Sequence, residues 1–238
     1  MKKMLFGLLI YMMATTSTVW AHDAMYFYKR GVESSLANKR ITYFTKALEL
    51  NSNLVEAYEK RGLHYYFQRK YDKVIQDYTK VIELKPKAVE AYRMRGSAYL
   101  KKGEYKAAIE DLTRAIELDP ELAYAYGDRA EAYRLEGKIR EALQDSTKAI
   151  DLRGDERTTA RAYATRAKVH KELGHEDQSD SDFNQSVQLD PRYVLIRYLA
   201  GTTNLDGVRR MGLIGIIAIC FVGIFQLSIR APKKGNQP

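Results

Sequence analysis

Residues 55–88 read VEAYEKRGLHYYFQRKYDKVIQDYTKVIELKPKA, and residues 89–122 read VEAYRMRGSAYLKKGEYKAAIEDLTRAIELDPEL. Set one above the other, they share VEAY at the start, Arg-Gly four residues later, and an IEL tail ending beside a proline. The period is 34. Residues 123–156, AYAYGDRAEAYRLEGKIREALQDSTKAIDLRGDE, continue in register, and a fourth copy occupies 160–193 after the three-residue insertion 157–159. Upstream, residues 24–54 form an earlier copy, three residues short where its first half turns into its second. A fixed period over five copies predicts a solenoid, in which each unit buries its apolar face on its neighbours.

Each unit reads as two helices. In residues 89–122, Tyr92, Gly96 and Tyr99 recur at i, i+4, i+7. Tyr105, Ala108, Ile109, Leu112, Ala115 and Ile116 then form a second helical stripe. Lys102-Gly103 separates the two, since glycine accepts the left-handed backbone that ends a helix. Asp119-Pro120 closes the unit, proline being excluded from a helix interior but suited to the first turn of the next helix.

These residues resemble the tetratricopeptide repeat family over about 170 of the 238 residues. The family's aromatic at position 4 is matched by Phe27, Tyr58, Tyr92, Tyr126 and Tyr163. Its small residue at position 8 is matched by Gly31, Gly62, Gly96, Ala130 and Ala167, and its proline at 32 by Pro86, Pro120 and Pro191. The fold class so implied is all-α, a superhelical solenoid of about five helix-turn-helix repeats. Residues 191–200, with Tyr193, Leu195, Ile196 and Leu199, are expected to form a helix that caps its C-terminal end.

The resemblance also implies a concave groove lined by positions 2, 5, 9 and 12 of the first helices. Here these are Glu56, Glu59, Leu63 and Tyr66; Glu90, Arg93, Ser97 and Leu100; Tyr124, Gly127, Glu131 and Arg134; and Arg161, Ala164, Lys168 and Lys171. Such a row runs from acidic at its N-terminal end to basic at its C-terminal end, a surface suited to an extended peptide or a helix. The lysine and asparagines with which some family members clamp a chaperone's terminal carboxylate are absent, so that partner is not expected.

One regularity belongs to this chain. Position 7 is arginine in every copy (Arg30, Arg61, Arg95, Arg129, Arg166), and position 23 is aspartate in four (Asp77, Asp111, Asp145, Asp182), with Tyr43 in the first. Two opposed columns on paired helices predict a ladder of partly buried bidentate ion pairs with a structural role.

The ends differ from the middle. Met1-Lys2-Lys3, an apolar run from Met4 to Met13, and Val19-Trp20-Ala21 read as a secretory signal over residues 1–21, or as an anchor if it is retained. Residues 211–229, MGLIGIIAICFVGIFQLSI, are 19 residues without a charge, enough for one transmembrane helix. A polar hinge at 201–210 precedes this span, and a basic tail at 230–238 follows it. The expected topology exports the repeats and leaves the tail in the cytoplasm. The formal charge of +9 has the same explanation. Seven of those charges are Lys2, Lys3, Arg209, Arg210, Arg230, Lys233 and Lys234, all beside apolar segments, so the excess is no nucleic-acid footprint.

Chemistry is not indicated. The single cysteine, Cys220, lies in the expected span, and no nucleophile elbow or phosphate loop is present. His170 and His175, at i, i+5, specify no third metal ligand. The expectation is a non-enzymatic scaffold for a protein partner at the outer face of a membrane. It needs no cofactor, metal, nucleic acid or small-molecule substrate. The alternative is an accessory subunit of a membrane complex that acts through its span, with the repeats as a spacer.

Overall fold

The computed structural model describes residues 23–193. The expected signal, hinge, span and tail, and the capping helix beyond Tyr193, lie outside these residues. Among the described residues all regular structure is helical. The helices are α1 (residues 23–33), α2 (Ala37–Leu50), α3 (Val55–Phe67), α4 (Tyr71–Leu84) and α5 (Val89–Lys102). They continue with α6 (Tyr105–Leu118), α7 (Ala123–Leu135), α8 (Ile139–Asp151), α9 (Glu156–Glu172) and α10 (Glu176–Leu189). Residues 192 and 193 are helical at the edge of the described segment.

From α2 onward each helix packs on the next in sequence, Gly31 of α1 lies against Phe44 of α2, and α7 also touches α5 and α9. The first helices of successive units therefore approach one another, which places them on the inner side of a curved stack. Small residues permit the close pairing within a unit. A Cβ at Gly62 would lie 2.9 Å from the Tyr78 ring, and one at Gly96 2.9 Å from Leu112. The core is divided along the stack. One cluster joins Tyr65, Val74, Tyr78 and Val81 to Ala91, Met94 and Ala98 of the next unit. Another joins Leu100, Ala108, Leu112, Ala115 and Ile116 to Ala125 and Ala132. Each cluster is completed only by a neighbouring unit, as a solenoid requires.

The turn inside each of the last four units closes with the same pair of backbone hydrogen bonds. Gly103 N–H donates to Leu100 O (3.1 Å) and Glu104 N–H to Tyr99 O (3.0 Å), with Gly103 at φ 83°. Arg69 takes the equivalent place in the second unit at φ 58°, so the turn persists without glycine. The prolines sit differently from the expectation. Pro86 and Pro120 lie in turns three residues ahead of α5 and α7, not in the first helical turn. The insertion at 157–159 lengthens α9 to 17 residues, against 13 in α7, so it is absorbed as an extra N-terminal turn of helix. That turn carries the one side-chain cap among α2–α10, Asp155, which accepts from Thr158 N–H at 2.7 Å.

The two charged columns meet. Arg61 Nε and Nη2 donate to Asp77 at 3.0 and 2.7 Å, Arg95 to Asp111 at 2.7 and 2.8 Å, Arg129 to Asp145 at 2.6 and 2.9 Å, and Arg166 to Asp182 at 2.7 and 2.8 Å. The remaining fork nitrogen, Nη1, reaches back one unit. It donates to Thr45 from Arg61, to Thr79 from Arg95, to Thr113 from Arg129 and to Thr147 from Arg166, at 2.9 to 3.3 Å. Each guanidinium also lies over the position-4 tyrosine of its own unit, Tyr58, Tyr92, Tyr126 or Tyr163, at 5.5 to 5.9 Å from the ring centroid. In the first unit, where Tyr43 replaces the aspartate, Arg30 lies over that ring at 5.9 Å.

The aspartates are buried, so their charge needs a partner. Burial pushes the Asp77 carboxyl above the usual range, against the pull of Arg61. For Arg95 the hydrogen bonds to Asp111 lead, and they hold the guanidinium charged more firmly than in water. Removing one member strands the other. Arg95→Ala is expected to cost about 3 kcal/mol, the loss typical of a broken buried pair. Adding Asp111→Ala costs less than the sum of the single losses, as read by denaturant unfolding; strict additivity would contradict the ladder.

Candidate protein-binding groove

The inner row is built by α3, α5, α7 and α9. At its N-terminal end Glu56 is exposed and 3.5 Å from Lys85 Nζ. Burial raises the pKa of Glu59 against the opposing charge of Lys85. Leu63 packs against the first core cluster, and the Tyr66 hydroxyl is 3.1 Å from Ser97 Oγ of the next unit.

Centrally, Glu90 is bound by both Nε (2.7 Å) and Nη2 of Arg93. The Tyr124 ring lies between two cations, with Arg93 5.5 Å and Arg161 5.7 Å from its centroid. Its hydroxyl donates to Asp155, the residue that caps α9. Tyr124 therefore joins three successive first helices.

At the C-terminal end, Arg134 donates to both oxygens of Glu131 at 2.9 Å and to Glu172 at 2.6 Å. Lys168 donates to Glu131 at 3.1 Å. Burial works to raise the Glu131 pKa, but the hydrogen bonds from Arg134 and the charge of Lys168 hold it below the ordinary carboxylate range. Arg161 Nη1 is 2.7 Å from Asp128 Oδ1. Asp128 Oδ2 and Arg161 Nη2 are buried with no hydrogen-bond partner among the described residues.

The basic end read from the sequence is thus largely compensated. Arg161, Lys168 and Arg134 spend their charge on Asp128, Glu131 and Glu172, while Lys171 remains exposed. Between these side chains lies a cleft of about 390 Å³ floored by Leu100, Gly127, Ala164 and Ala167, with Phe183 and Tyr193 on its wall. Leu100 is buried, and serves the groove as floor and the core as packing.

Sequence reasoning missed several partners. The threonines at position 25 form a visible column, yet their role depends on contact with the following unit. Asp128 stands where other units have Lys60, Met94 and Thr165, an irregularity that marks it within the repeat.

Among the described residues His64 and His170 are half-buried and His175 is exposed. His64 stacks on Phe44 with centroids 6.0 Å apart. The His170 and His175 rings are 5.8 Å apart, and burial lowers the His170 pKa although Asp182 lies 3.8 Å away. Among the described residues no group of three or more His, Cys, Asp or Glu is placed to hold a metal ion. No helix there is long and apolar enough to cross a membrane.

Tetratricopeptide repeat models match residues 55–88, 89–122 and 160–193. At those residues the chain carries tetratricopeptide repeats, and its described part is an all-helical solenoid. It is similar to a crystal structure of MamA, at 26% identity over 66% of this chain and 91% of that one, with a TM-score of 0.58. It shares its fold with MamA from Desulfovibrio magneticus RS-1 (18% identity, 74% and 96% coverage, TM-score 0.61). It also shares it with YrrB, described as a TPR protein with an unusual peptide-binding site (18% identity, 76% and 90% coverage, TM-score 0.58). No curated protein matches the sequence.

The Asp155 cap ties groove to fold and is testable by pH. Hydrogen bonds from Tyr124 and Thr158 hold its carboxyl below the usual range. Because the folded pKa is depressed, the stabilisation is present above the unfolded pKa of about 3.9 and is lost as pH falls through the lower folded value. Asp155→Ala is expected to cost about 1 kcal/mol at pH 7. By thermal unfolding, the gap from the wild type should stay constant down to about pH 4.5 and shrink below the unfolded pKa.

Proposed function

We propose that the chain is a non-enzymatic scaffold that binds a partner protein in the concave groove of its repeats and is held at the outer face of a membrane by its C-terminal apolar segment. The observation that carries the binding part is the row of first helices ending in a cleft with an apolar floor and a charged rim. An apolar pocket ringed by polar groups is the usual form of a recognition site. Repeats of this kind mediate protein–protein interactions, and YrrB is a peptide-binding example of the fold. The tether rests on the sequence of residues 1–21 and 211–229. Confining a scaffold to a surface raises the effective concentration of whatever it holds.

A photo-crosslinking residue placed at Lys171 of the full chain in intact cells is expected to yield a discrete protein adduct, weakened by Lys168→Glu. The same residue at Glu110, on the exposed side of α6, should yield none; equal adducts from both faces, or none from Lys171, would defeat groove binding. Lys87→Cys should react with a membrane-impermeant maleimide from the extracytoplasmic side. Labelling only after the cytoplasm is opened would defeat export while leaving the groove reading intact.

A further inference from the structure

The turns that join the two helices of each unit all lie on one edge of the solenoid, and side-chain contacts connect them laterally. Gln68 Nε2 donates to Asn38 Oδ1 at 3.1 Å, Lys102 Nζ is 2.7 Å from Asp72, and Glu136 borders the same hollow as Gly103 and Lys106. The edge is therefore continuous from the first unit to the fourth.

Its composition is unusual. The large apolar residues most exposed along it are Phe67 at 72%, Leu36 at 56%, Val32 at 49% and Leu135 at 40%. Leu173 extends the row into the last unit, whereas the opposite edge contributes Tyr26 at 54% and Met25 at 39%, at the start of α1, and Leu84 at 38%. Between the apolar residues stand exposed cations without a carboxylate partner among the described residues: Arg69 and Lys70 in the second unit, Lys106 in the third and Arg140 in the fourth. The carboxylates Asp72, Glu104 and Glu136 are each held by a lysine of the same edge, Lys102 or Lys138. Glu33 and Glu141 are exposed there too, and the last unit's turn is acidic through Glu176 and Asp177, so the positive excess lies in the second and third units. Apolar side chains interleaved with unspent positive charge match the interface of a bilayer with anionic headgroups, where apolar groups enter the acyl boundary and lysines meet phosphates. An exposed phenylalanine in a polar turn has no part in the packing of the stack, and none in the inner groove.

We infer that this edge lies on an anionic lipid surface, with Phe67 and Leu36 inserted and Arg69, Lys70 and Lys106 on the headgroups. The groove faces sideways and stays open. The inference rests on the membrane tether of the proposed function. It adds that the solenoid rests on the bilayer edge-on, where a simple tether would leave it free to tumble.

The test uses the full chain with Cys220→Ser, carrying an environment-sensitive dye on Phe67→Cys or, as the control, on Leu84→Cys. Each is reconstituted into vesicles of equal parts phosphatidylglycerol and phosphatidylcholine containing spin-labelled lipid. Quenching at position 67 is expected to exceed that at 84 by at least threefold. It should fall to the level of 84 in phosphatidylcholine alone, or when Lys70→Glu and Lys106→Glu are combined, two changes that leave the apolar row in place. Each removed charge weakens attachment to an anionic surface by roughly fivefold. Equal quenching at 67 and 84 in chains that float with the vesicles overturns the edge contact alone. Chains that do not float with the vesicles overturn both the tether and the edge. A disulfide that forms between the Phe67→Cys positions of two unlabelled chains assigns the edge to a second copy and also overturns the inference.

Discussion

The fork made by the position-7 arginine is the constraint on which the stack depends. Its five N–H donors lie in one plane, so an arginine that meets an aspartate with two of its nitrogens has its third directed elsewhere at a fixed angle. Here that third nitrogen points at a threonine of the preceding unit. One side chain thus sets the crossing of the two helices within a unit and the offset to the unit before it. Its face meanwhile covers a tyrosine ring. A buried ion pair is weak evidence for stability, since an apolar replacement often does as well. The better account of its repetition is register: a solenoid of near-identical units could slip or curve variably, and a directional triple contact at every joint removes that freedom.

The first unit shows what the aspartate contributes. With Tyr43 in its place, Arg30 has a ring to lie over but no bidentate acceptor. Arg40, at a position where small residues pack in other units, instead donates to Ser34 O in the shortened turn. A terminal unit has one neighbour fewer, so its geometry needs less enforcement.

Much of this was legible in the sequence. The period of 34, the helix pairs and the arginine–aspartate columns could all be read, because each depends on spacing within one unit. What could not be read depends on how units are placed relative to each other. Lys168 meets Glu131 across 37 residues and Arg134 meets Glu172 across 38, so a groove that looked increasingly basic along the sequence is mostly neutralised in space. The insertion at 157–159 looked like a break between units, yet it is an added turn of helix whose cap also anchors Tyr124. Leu100, Gly127 and Ala164 can be read as groove residues, but that Ala167 joins them in the floor and that Leu100 also packs in the core likewise follows from curvature.

Charge compensation changes what the groove can select. A gradient of free charge would attract any oppositely charged segment along its length, with little preference for register. A row whose carboxylates and cations are mostly paired offers little long-range attraction. A partner must displace or complement those pairs locally, each at a desolvation cost. Selectivity then falls to the unpaired positions and to shape: the exposed Lys171, the apolar floor, and the buried, unpartnered atoms of Asp128 and Arg161. The same logic separates the two surfaces of the solenoid. The inner face spends its charges internally and keeps its apolar floor recessed, whereas the turn edge leaves cations free and apolar residues protruding. Recessed and compensated suits a particular polypeptide, while protruding and uncompensated suits a laterally uniform surface. The fold can serve both because the repeat places them on different sides of every unit.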